Sequence, residues 1–208
     1  MLNRAFWAGA VIALLITVAD AAVIYGINNN IPTLVQWGFY GSWLFPFLLL
    51  GYGALYRDLS GHRPRWAAAL FISGAYLAAL STLIQGSTGL LEYLRLRVGT
   101  ESSAMGPLLA EAFIRFKVPL YAAGALLTLI ESLCFVVAVW TQPSYPRWFA
   151  LINRLFLVGA CLMAAPLFPS IKVYLQLLSP NLSHLFFFLF LGLKASLRPM
   201  GSEGDVFA

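Results

Sequence analysis

The stretch AFWAGAVIALLITVADAAVIYGINNNIPTLVQWGFYGSWLFPFLLLGYGALY, Ala5–Tyr56, holds a single charged residue, Asp20. It divides at Asn28-Asn29-Asn30 and Pro32 into two apolar segments. Each is long enough for the roughly 20 helical residues that cross a bilayer's hydrocarbon. The stretch therefore predicts a pair of membrane-embedded helices. A carboxylate inside such a pair is costly unless it has a partner and a role.

The rest of the chain extends this reading. Of 208 residues, 61% are hydrophobic and 10% are charged, against about a quarter charged in soluble domains. The apolar runs are continuous and do not alternate, which excludes a β-barrel and predicts an all-α, polytopic transmembrane bundle. The net charge of +5 comes from basic residues at the ends of apolar segments. No basic run interleaved with aromatics is present, so nucleic acid is excluded as a partner. Cys134 and Cys161 both lie inside apolar segments and read as small buried residues, without a disulfide framework or metal cluster.

Six spans are expected: Phe6–Gly26, Thr33–Tyr56, Trp66–Ser87, Val118–Thr141, Phe149–Phe168 and Pro180–Leu197. They form one domain over residues 1–200, followed by a polar tail at 201–208. Ala19-Asp20-Ala21 has the small-x-small form of a signal-peptidase site, but apolar character continues through Ile24 to Gly26, so the first segment is expected to be retained. Pro64, Pro146 and Pro180 are expected at the starts of spans three, five and six. Pro46 and Pro119 should kink spans two and four. Trp7, Trp37, Trp66, Trp140 and Trp148 lie near span ends, at interface depth. Lys194, at the end of span six, is expected to snorkel to the headgroups.

Arg4, Arg57, Arg63, Arg65, Arg147, Lys194 and Arg198 gather at one end of the bundle, which places both termini in the cytoplasm of a cell membrane. The loop Leu90–Lys117 carries Arg95, Arg97, Arg115 and Lys117. Within it Pro107–Lys117 reads as an amphipathic stretch with Leu108, Leu109, Phe113 and Phe116 on its apolar side, either surface-lying or extending span four.

Polar residues at membrane depth define the candidate site. Asp20, Gln36, Gln85, Asn181 and His184 all fall toward the outer ends of their spans and form a candidate ligand-binding cluster. Asp20 and His184 are also the residues able to act as an acid–base pair, because a carboxylate can fix an imidazole tautomer and raise its basicity. The bland alternatives are that Asn181 caps span six and that His184 bonds a neighbouring helix. Nearer the middle, Tyr121, Gly124, Thr128 and Glu131 follow helical spacing, and Glu131 and Arg154 are expected to form an ion pair. That pair reads as a staple between spans four and five, or as Arg154 holding a ligand headgroup. No phosphate loop, His-Glu-x-x-His or Cys-x-x-Cys occurs, so no cofactor, metal or catalytic residue is assigned.

Three blocks carry a family resemblance. They are Ala19-Asp20 late in span one, Gly38–Tyr56, and Tyr145-Pro146-Arg147-Trp148 with Asn181-Leu182-Ser183-His184-Leu185-Phe186-Phe187-Phe188. The chain resembles a family of bacterial six-span integral membrane proteins of unknown function, which shows Gly-Asp, Tyr-Pro-Arg-Trp and Asn-Leu-x-x-Leu-x-Phe-Phe elements. That family often has Asn-Pro where this chain has Asn153-Arg154. The resemblance implies the six-span fold and no particular activity. Three functions stay open: a protein that binds or carries a small hydrophobic or lipid-like ligand, an intramembrane enzyme acting on a lipidic substrate, and an accessory structural subunit. Oligomeric state is not readable from the sequence.

Overall fold

The structure, a computed structural model, describes residues 2–98 and 105–197. The polar tail expected at 201–208 lies outside the described residues, as do the side chains of Leu109 and Phe113. The described chain is all-helical. Its α-helices are α1 (Leu2–Asn28), α2 (Pro32–Ser42), α3 (Leu49–Ser60), α4 (Pro64–Val98), α5 (Met105–Trp140), α6 (Arg154–Ala164) and α7 (Lys172–Ser196). Four helices are long and apolar enough to cross a membrane, and a fifth crossing is made if the bent pair of Pro32–Ser42 and Phe45–Ser60 counts as one.

Local chemistry sets the boundaries. α1 stops at the asparagine run because Asn30 adopts a left-handed conformation (φ 56°), which Asn tolerates better than most residues. The Ile31 amide then donates back to the Gly26 carbonyl at 2.8 Å and closes the helix end. The segment read as span two bends by 41° where Pro46 sits in a short 3-10 turn, Phe45–Leu48. Pro119 lies inside a continuous α5.

Three boundaries differ from the sequence reading. The third and fourth apolar segments extend well past their expected ends: α4 runs to Val98 and α5 begins at Met105, so Pro107–Lys117 is an extension of α5. Phe149–Phe168 is not one helix. A 3-10 turn, Arg147–Leu151, precedes α6, whose Asn153 cap accepts from the Phe156 amide at 2.9 Å. Ser132 on α5 accepts from the Leu155 amide at 2.9 Å. Side chains thus satisfy the first-turn donors of α6 inside the bundle, so the helix starts there instead of running on from Phe149. Finally, Pro180 does not open the last helix; it lies inside α7, which starts at Lys172. Having no N–H, Pro180 leaves the Gln176 carbonyl one turn back without its helical donor, and the Ser179 hydroxyl supplies one at 3.0 Å.

The helices pack through small residues. A Cβ on Gly38 of α2 would collide with Val23 of α1, one on Gly41 would fall 2.6 Å from Ala19, and one on Gly89 of α4 would fall 2.8 Å from the Phe39 backbone. Close helix approach of this kind suits bundles held by van der Waals packing. The core joins Phe6, Ile16, Phe45, Tyr52, Phe135, Phe187 and Phe188. The outer surface carries large apolar side chains, among them Val18, Leu83, Leu126, Met163 and Leu167. α5 packs along α4, touches α6, and meets α7 where the Phe135 and Phe187 ring centres lie 5.0 Å apart.

Candidate functional site

Away from the Phe135–Phe187 contact, residues of α1, α4, α5, α6 and α7 enclose a cavity of about 290 Å³. Asp20 enters it from α1, Gln85 from α4, Arg154 from α6, and Asn181 and His184 from α7. Most of the remaining wall is apolar, including Phe45, Leu77, Ile84, Leu155, Val158 and Leu177. The stripe Tyr121, Gly124 and Thr128 forms the α5 wall. Tyr121, Leu155 and Leu177 are each about half exposed, so the cavity reaches the bundle surface between α5, α6 and α7. A second cavity of about 210 Å³ adjoins it and shares Asp20, Gln85, Tyr121 and Leu177, with Glu92 and Lys117 on its far wall.

Four of the five residues expected to cluster therefore share one cavity. Gln36 does not: it is exposed on α2 and donates to the Tyr40 hydroxyl at 3.2 Å. Asn181 is nine residues into α7 and caps nothing; its side-chain amide donates to Asp20 Oδ2. Asp20 and His184 make no hydrogen bond to each other, so the direct acid–base pair is not formed. Asp20 Oδ1 and both ring nitrogens of His184 are buried without a hydrogen-bond partner among the described residues. The Pro180 carbonyl lies near the His184 ring, but it accepts from Ser183 at 2.6 Å and from Arg154 at 3.4 Å. Buried polar groups are almost always paired, so these three atoms stand out. Gln142 Oε1, beside Asp58, is likewise without a hydrogen-bond partner among the described residues, so what sets these three atoms apart is that their side chains line one cavity.

The Glu131–Arg154 pair forms the floor of the same site. Arg154 Nη1 lies 2.7 Å from Glu131 Oε2, with both side chains buried. Tyr52 donates to Glu131 Oε1 at 2.6 Å, and Arg154 Nε donates to Ser183 at 3.2 Å. Tyr52 was missed by the sequence reading, because a tyrosine in an apolar segment looks like any interface aromatic. Its ring rests where a Cβ on Gly74 would come within 2.6 Å, which fixes its hydroxyl toward Glu131. The two polar groups adjoin: Arg154 lines the cavity and donates to Ser183 and to the Pro180 carbonyl of α7.

A third polar group lies at the opposite end from Glu92 and Lys117. Tyr145 donates to Asp58 Oδ2, and Lys194 Nζ lies 3.6 Å from that oxygen and 2.9 Å from the Tyr145 ring centre. Lys194 is therefore turned inward rather than snorkelling outward, because Asp58 offers it a charge partner within the bundle.

Comparison of the chain with protein-family models, with curated proteins and with solved structures finds no match.

Proposed function

We propose that this is an integral membrane protein that binds or carries a small hydrophobic or lipid-like ligand in the cavity bounded by Asp20, Gln85, Asn181 and His184. The observation that carries this reading is the set of three unpartnered polar atoms, on Asp20 and His184, in side chains that line a largely apolar cavity. Leaving buried polar atoms unmade costs about 1–3 kcal/mol each, and a ligand that pairs them recovers that cost. The cavity is near the lower bound, about 300 Å³, of small-molecule sites, and an apolar wall with a few converging polar groups is their usual chemistry. Its reach to the bundle surface beside Tyr121, Leu155 and Leu177 favours entry from the bilayer.

The membrane setting belongs to the same proposal. The bent α2–α3 unit is the second crossing, and Arg147–Leu167, a 3-10 turn followed by a short apolar helix, is the fifth of six. The basic residues Arg4, Arg57, Arg63, Arg65 and Arg147 support cytoplasmic termini in a cell membrane, and the motif resemblance to bacterial six-span proteins agrees with six crossings. Glu92 and Lys117 then mark the outer end.

The test is purification in nanodiscs followed by extraction and mass spectrometry of retained small molecules and lipids. Val158→Trp should fill the cavity and strip a species that the wild-type protein retains. An identical retained set in both proteins rejects the cavity as the site.

A further inference from the structure

We propose that the ligand is an amphiphile bearing a protonated amine, its ammonium group against Asp20 Oδ1 and its apolar body along Phe45, Leu77, Leu155 and Val158. This rests on the cavity being a binding site and names what it selects. Charge balance is the first ground. Of the ionic side chains lining the larger cavity, Arg154 is matched by Glu131 at 2.7 Å. In the adjoining cavity Glu92 is matched by Arg95 at 2.7 Å, and Lys117 lies on the same wall without reaching ion-pair distance of Asp20. Asp20 has no basic nitrogen within ion-pair distance among the described residues. A lone carboxylate in a site with apolar walls is stabilised most by a cation that arrives with its own hydrogen-bond donors.

Donor count is the second ground. Asn181 supplies a donor to one Asp20 oxygen and leaves the other without one. A primary ammonium has three N–H donors. The side chains of Asp20, Gln85 and His184 line the cavity and carry acceptor atoms for those donors. An anionic headgroup would meet an arginine already paired and a carboxylate that repels it. An uncharged alcohol would supply one donor and no countercharge.

Three eight-carbon probes test this in phosphatidylcholine nanodiscs at neutral pH: octylamine, octanol and octanoate, by equilibrium dialysis with empty nanodiscs as background. Octylamine should bind saturably above background, at least about tenfold tighter than the other two, the ratio expected when a charge-assisted hydrogen bond is lost. Asp20→Asn should erase that preference and Asp20→Glu should keep it, with gel filtration reporting the fold of each. Octanol or octanoate binding as tightly as octylamine overturns the amine assignment and leaves the binding cavity standing. Octylamine binding unchanged in a folded Asp20→Asn overturns it equally. Should Asp20→Asn fail to fold, the ranking of the three probes on the wild-type protein decides alone. Binding of none of the three overturns the amine, while the comparison with Val158→Trp still judges the cavity.

Discussion

Two buried polar groups sit side by side in this bundle and are finished differently. Around Glu131 and Arg154 the charges are paired and hydrogen bonds from Tyr52 and to Ser183 complete the set. Around Asp20 and His184 one bond, from Asn181, is made and three polar atoms are left without a partner. Burial is similar in both groups, so burial alone does not distinguish a staple from a site. What separates them is closure: the first group is complete within the described residues, and the second is not.

The largest expected break comes from the closed group. Glu131→Ala strands a buried guanidinium and should cost about 3–5 kcal/mol, seen as loss of folded protein or a steep fall in Tm in detergent. Glu131→Leu combined with Arg154→Met should recover most of that loss, because an apolar pair of similar volume has no charge to solvate. Tyr52→Phe removes one hydrogen bond to a charged group and should cost about 1.5–3 kcal/mol by the same measurement. Asp20→Asn should change stability by less than about 1 kcal/mol, since no bond to a cation is lost, yet should abolish ligand retention. A destabilisation as large as that of Glu131→Ala would make the two groups alike and remove the contrast. Gln36→Leu, on the exposed face of α2, should alter stability by no more than about 0.5 kcal/mol and leave ligand retention intact.

The sequence exposes some of this and hides the rest for physical reasons. Asp20, Gln85, Asn181 and His184 are visible because a polar side chain in an apolar run is rare and costly. Gln36 gives the same signal yet faces outward, because α2 packs through Gly38 and Gly41, and which face packs depends on partners elsewhere in the chain. Tyr52 carries no such signal, since its role depends on Glu131, distant in the chain. Two of the helix ends that differ from the sequence reading are places where side chains override the local code. Ser179 lets α7 continue through Pro180, and Asn153 with Ser132 starts α6 inside an apolar segment.

The unmatched carboxylate of Asp20 has an electrical consequence. In the proposed six-crossing arrangement Asp20 lies inside the low-dielectric slab, so a cation settling beside it traverses part of the transmembrane field. A full crossing is worth about 2.3 kcal/mol per elementary charge at 100 mV. Occupancy would then follow the membrane potential as well as concentration, and an energised cell would load or empty this pocket differently from a depolarised one.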